Sequence, residues 1–119
     1  MATILIVDDA RSTLRALEVI LKREGYTVLT AASGPEGLTH IEHHEVDLLL
    51  CDVKMPVHDG IWLTEQVRAR WPETAVIMAS SALDMETVMR MRKEGAVDYV
   101  TKPFGREMLR QALQRATQA

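Results

Sequence analysis

Asp52 closes the apolar run Leu48-Leu49-Leu50-Cys51, and Pro56 follows soon after. The run does not alternate with polar residues, so it reads as a strand buried on both faces. Asp52 then stands at the strand's C-terminal edge, where open α/β sheets bind ligands. A charge at such a place needs partners or a task. Other short apolar runs also end on reactive groups. Ile4–Val7 ends on Asp8-Asp9, Ala75–Ala79 on Ser80-Ser81, and Val97–Val100 on Thr101-Lys102. In a parallel sheet these ends share one edge, which gathers three carboxylates, a hydroxyl and an ammonium. Three carboxylates repel unless a cation joins them, and a few hard oxygen ligands suit Mg²⁺ (or Mn²⁺). A metal, a lysine and a hydroxyl can hold a phosphoryl group and neutralise its oxygens. A carboxylate among them can act as nucleophile and form an aspartyl phosphate. Plainer readings exist for each group: a helix cap for Asp8-Asp9, a solvated turn for Lys102, a loop hydroxyl for Ser80. Their joint occurrence around Asp52 favours the site.

The elements that must position these groups alternate along the chain. Ile4–Val7 reads as a strand, and Arg11–Glu24 as a helix with Leu14, Leu17 and Leu21 on one face. Gly25 stops that helix, Tyr26–Thr30 is a second strand, and Ala31–Gly34 is a turn. A helix from Pro35 to His43 follows, weakened by Gly37. The Asp52 strand leads through the 54–60 loop to a helix over Ile61–Trp71, stopped by Pro72. Ala75–Ala79 is the fourth strand, Asp84–Glu94 a helix ended by Gly95, and Val97–Val100 the fifth strand. Arg106–Gln118 closes the chain as a helix with Leu109, Leu113 and Ala116 on one face. Five strand–helix alternations predict a parallel sheet covered on both sides.

The 119 residues suit one domain, spanning 1–119, without repeats or linkers. With 47% hydrophobic and 26% charged residues the chain has the balance of a folded soluble domain. A net charge of −3 gives no general attraction to nucleic acid or to an anionic membrane. No apolar run approaches a membrane span, and Met1–Asp8 lacks the basic start of a signal peptide. The single Cys51 excludes an internal disulfide, suits a cytoplasmic setting, and reads as inert core.

The chain resembles the response-regulator receiver domain of two-component signalling over essentially its whole length. The matching pieces are Ile6-Val7-Asp8-Asp9, Cys51-Asp52-Val53-Lys54-Met55-Pro56, Asp59-Gly60, Ser80, and Asp98-Tyr99-Val100-Thr101-Lys102-Pro103-Phe104. The resemblance implies a five-stranded flavodoxin-like (βα)5 fold with strand order 2-1-3-4-5. It implies that Asp52 accepts a phosphoryl group from the phosphohistidine of a histidine kinase or phosphotransfer protein. Asp9 would ligate Mg²⁺ directly, Asp8 through water, and Lys54 through its backbone carbonyl. Ser80 and Lys102 would bind the phosphoryl group, and Tyr99 would be the aromatic switch. The bond before Pro103 is usually cis in the family. The resemblance further implies output through the helix at 84–94, the fifth strand and the last helix, toward an output domain, a downstream protein or a second copy. Three positions depart from the common pattern: Ser80 for threonine, Val57 for glycine, and Ser81 for alanine. None removes a group the chemistry needs. The chain stands alone or is cut from a longer regulator.

Smaller signals have plain explanations. His40, His43 and His44 read as a solvated helix end rather than a zinc or nickel site, since no third ligand is evident. Met85, Met89 and Met91 read first as core filling, and otherwise as a plastic partner surface. Arg90, Arg92 and Lys93 read as a solvated basic face, and Trp62 and Trp71 as packing. A phosphohydrolase of the dehalogenase type needs a second acid two residues after its nucleophile, where Lys54 stands. A nucleotide switch needs a glycine-rich loop after the first strand, and none is present. The intact acids and lysine argue against a module that binds partners without phosphorylation.

Overall fold

The computed structural model describes residues 2–52, 60–80, 89, 93, 98–101 and 105–118. Strands β1 (Thr3–Val7), β2 (Thr27–Ala31), β3 (Leu48–Asp52), β4 (Ala75–Ser80) and β5 (Asp98–Thr101) form one sheet. All neighbours pair in parallel, in the order β2-β1-β3-β4-β5. The described helices are α1 (Arg11–Arg23), α2 (Gly34–His43), α3 (Gly60–Arg70) and α4 (Arg106–Gln118). The helix expected over 84–94 lies outside the described residues except for Met89 and Lys93, both helical. This is the doubly wound α/β architecture that the strand–helix alternation predicts.

Strand alternation divides the core into two layers. Leu5, Val7, Leu49, Cys51, Val76 and Met78 pack with Ile41 of α2 and with Ile61, Leu63 and Val67 of α3. Their neighbours Ile4, Ile6, Leu48, Leu50, Ile77 and Ala79 pack with Leu14, Leu17 and Leu21 of α1 and with Leu109 and Leu113 of α4. Successive side chains of a strand point to opposite faces, so a strand buried on both must be apolar throughout. Leu48–Cys51 is buried at every position and loses full burial only at Asp52.

The ends of the elements follow from local hydrogen bonding. Gly25 adopts φ 97°, a left-handed conformation that closes α1. The Tyr26 N–H donates to the Leu21 carbonyl at 3.1 Å. Tyr26 thus finishes the helix, and β2 starts one residue later than the sequence suggests. Helix α2 starts at Gly34, ahead of the expected Pro35, because Ser33 caps it. The Glu36 N–H donates to Ser33 Oγ at 3.2 Å, and the Ala32 N–H donates back to Glu36 Oε2 at 3.0 Å. This is close to a reciprocal capping box.

The register aligns the strand ends that carry the reactive groups. Val7 pairs with Cys51, Asp52 with Ala79, and Ser80 with Thr101.

Candidate functional site

Because Val7 and Cys51 are partners across β1 and β3, the acids that follow them emerge side by side. One carboxylate oxygen from each of Asp8, Asp9 and Asp52 lies within 4.8 Å of the other two. Asp8 is 3% exposed, Asp52 is half-buried, and Asp9 is exposed. The arrangement is therefore graded, with a buried wall and an open rim.

Local structure fixes the wall. The Ala10 N–H donates to Asp8 Oδ1 at 2.9 Å, an Asx-type turn that holds the Asp8 side chain at the strand end. The Asp8 N–H donates to the Ala31 carbonyl at 3.1 Å, tying the same residue to β2. The helix-cap reading of these acids fails. Ala10 occupies the N-cap of α1 and its own side chain makes no capping bond, so neither acid holds that position.

Three clustered carboxylates form an acceptor-only set of hard oxygens, one of them almost wholly buried. That set fits a hard divalent cation such as Mg²⁺, which uses one or two carboxylates and keeps waters elsewhere. Asp8, Asp9 and Asp52 are the residues that would hold it. Of the other expected site residues, Tyr99 lies half-buried in β5, packed against the α2/α3 layer. Lys54 and Lys102 lie outside the described residues, as does the side chain of Ser80. The backbone of Ser80 ends β4 beside Thr101, which immediately precedes Lys102 in the chain.

A sequence model described as the response regulator receiver domain matches residues 4–114. The chain belongs to the response-regulator receiver family. It is 39% identical over 115 residues to the probable C4-dicarboxylate response regulator DctR of Priestia megaterium, covering 95% of this chain and 50% of that protein. It is 34% identical over 113 residues to the transcriptional regulatory protein ZraR of Salmonella typhimurium, covering 95% of this chain and 26% of that protein. The receiver thus spans about half or less of these curated relatives. Among solved structures, the chemotaxis protein CheY4 of Vibrio cholerae superposes with a TM-score of 0.93 at 33% identity, covering 98% of each chain.

Elsewhere in the receiver the plainer readings mostly hold. His43 and His44 donate from Nδ1 to the Thr39 and His40 carbonyls, at 2.8 and 3.0 Å, closing the end of α2. The His40 and His44 rings lie 5.9 Å apart, and among the described residues no third ligand joins them. Trp62 and Trp71 pack against the α2/α3 layer, with the Arg70 guanidinium 4.3 Å above the Trp71 ring. Cys51 is fully buried. The core-filling reading fails at Met89, which is 64% exposed, while Met85 and Met91 lie outside the described residues. No described helix is long and apolar enough to cross a membrane.

Sequence reasoning quoted Gly60 only as part of the Asp59-Gly60 match and passed over Thr64. Gly60 opens α3 against the Asp52 main chain, and Thr64 lies one turn further along the helix. Thr64 is 1% exposed and donates to the Gly60 carbonyl at 2.8 Å. The signal for Gly60 was a glycine immediately before the expected helix, where a missing Cβ permits close backbone approach.

Proposed function

We propose that this receiver is a phosphorylation-controlled switch in a two-component pathway of the cytoplasm, with Asp52 as phosphoacceptor. The convergence of Asp8, Asp9 and Asp52 within 4.8 Å carries the reading. An Asp52 carboxylate oxygen attacks the phosphorus of a kinase or phosphotransfer-protein phosphohistidine. The P–O bond forms as the P–N bond breaks, and the imidazole leaves with the bonding pair. A bound Mg²⁺ supplies neutralisation of phosphoryl oxygen charge. Asp9 and Asp52 would hold it, with Asp8 acting through water and Lys54 offering its backbone carbonyl. Lys102 and Ser80 take the remaining phosphoryl oxygens, and Tyr99 turns inward once Ser80 has moved. The phosphoryl group acts as a ligand that biases two conformations. Slow self-hydrolysis resets the switch, so the domain signals and does not turn over substrate.

The output surface comprises the 84–94 segment, β5 and α4, and it contacts an output domain, a downstream protein or a second copy of the chain. Two exposed methionines support this: Met89 at 64% and Met108 of α4 at 45%. Flexible thioethers on a surface suit a partner that must be bound in one state and released in the other. Arg115 Nε donates to Asp98 Oδ2 at 2.6 Å, coupling α4 to β5 next to Tyr99.

Incubation with Mg²⁺ and acetyl phosphate should add one phosphoryl mass to the wild-type chain and none to Asp52→Asn. Equal labelling of both proteins would refute the assignment.

A further inference from the structure

Helix α3 begins against the main chain of Asp52. A Cβ placed on Gly60 would lie inside contact distance of the Asp52 carbonyl oxygen, 2.9 Å from that carbonyl carbon and 3.0 Å from Cys51 Sγ. Only glycine leaves this space empty. The two nearest of these atoms are backbone atoms at the end of β3, whose preceding residues Leu49, Leu50 and Cys51 are buried. Close-packed surroundings do not let such a strand swing aside. Gly37 of α2 differs: a Cβ there would meet side-chain ends, with Val7 Cγ2 at 2.9 Å and Leu63 Cδ2 at 3.4 Å.

The start of α3 is also fastened from behind. Thr64 Oγ1 gives its one proton to the Gly60 carbonyl and rests 3.1 Å from Met78 Sδ on β4. Thr64 and Met78 are both buried. The first turn of α3 is thus wedged between the backbone of Asp52 on one strand and Met78 on the next.

We infer that Gly60, backed by Thr64, is a positioning residue for Asp52. The contact of Gly60 with the Asp52 main chain sets the distance of the Asp52 carboxylate from Asp8 and Asp9. This rests on reading the cluster as a divalent-cation and phosphoryl site. An alanine methyl must push the Asp52 backbone or α3 by about 1 Å, and misplacement on that scale weakens a site by up to about a hundredfold.

The test uses Mn²⁺ as an EPR-visible probe, with acetyl phosphate labelling and melting temperature measured in parallel. Gly60→Ala should weaken Mn²⁺ binding by about tenfold or more and slow labelling. Thr64→Val, which removes the hydroxyl's bond to the Gly60 carbonyl without adding bulk at 60, should weaken Mn²⁺ binding by about threefold. Val67→Ala on the same helix should lower the melting temperature yet keep Mn²⁺ affinity within about twofold, separating position from stability. The inference is overturned if folded Gly60→Ala binds Mn²⁺ like the wild type, or if Val67→Ala loses as much affinity. Should Gly60→Ala not fold, Thr64→Val decides. A threefold loss supports the inference and unchanged affinity overturns it. A wild-type chain that neither binds Mn²⁺ nor takes a phosphoryl group overturns the reading of the cluster itself, a distinct result.

Discussion

Asp8 and Asp9 are adjacent in the chain yet sit in different environments. Asp8 is 3% exposed and accepts the Ala10 N–H, while Asp9 is exposed at the rim. Asp8→Ala removes an acceptor from a partly buried donor and should lower stability by about 1–2 kcal/mol in urea unfolding. Asp9→Ala loses no such bond and relieves repulsion within the cluster, so it should not lower stability. Both should weaken divalent-cation binding, so equal stability losses would contradict the division of labour. The sequence showed the acids and their edge, because each follows an apolar run. It could not show which acid is buried, since that depends on the turn Asp8 makes with Ala10. Tyr26 offers a second test. Burial, and secondarily the Glu24 charge, hold its phenol above the ordinary value of 10.0. A raised folded-state pKa favours the protonated form, so this stability is present below the unfolded phenol's pKa. It is lost as pH rises through the folded-state value. Tyr26→Phe should therefore flatten the loss of stability on the alkaline side of pH 10, measured as melting temperature against pH. An unchanged alkaline limb would remove Tyr26 from that role.

Among the elements, α2 shows why propensity and packing must be weighed together. Gly37 looks like a flaw in the helix, and alanine would favour the helical backbone by about 1 kcal/mol. The structure reverses the sign. A methyl there would meet Val7 Cγ2 at 2.9 Å and Leu63 Cδ2 at 3.4 Å, both on fully packed residues. Overpacking of this kind costs about 1–3 kcal/mol, so Gly37→Ala should destabilise by about 1 kcal/mol net. A more stable Gly37→Ala protein would show that α2 can back away from β1. The element order itself was legible, because apolar runs and helical spacing announce strands and helices without reference to tertiary contacts. Element ends were less so. Tyr26 belongs to the close of α1 and Gly34 to the start of α2, and both depend on specific hydrogen bonds. Gly60 was the least legible of all. Its task is defined by the carbonyl of Asp52, which a linear reading cannot bring next to it.

At the scale of the molecule, the acids hang from β1 and β3, the strands that both core layers grip. Ile4, Ile6, Leu48 and Leu50 join α1 and α4, while Leu5, Val7, Leu49 and Cys51 join α2 and α3. Folding therefore forces Asp8, Asp9 and Asp52 together whether or not a cation is present. Two carboxylates about 5 Å apart repel by about 1 kcal/mol even with the dielectric constant of water. The repulsion of Asp52 by Asp8 and Asp9 is largely absent from the unfolded chain, where Asp52 is far from that adjacent pair. A cation that binds only the folded site stabilises it by mass action, by about 1.4 kcal/mol at ten times its dissociation constant. For a chain of this size that corresponds to a rise in melting temperature of about 5 °C. Asp52→Asn should act oppositely in two respects. It should raise the melting temperature in metal-free buffer by relieving repulsion, and it should shrink the Mg²⁺-induced rise to about 1 °C or less. Added KCl at matched ionic strength screens the carboxylates without ligating them, so it should reproduce only part of the Mg²⁺ effect. If Mg²⁺ and KCl stabilise the wild type equally, the cluster is merely a patch of negative charge. If Mg²⁺ stabilises more, and Asp52→Asn abolishes the difference, then the fold holds these acids in strain that a specific ion relieves.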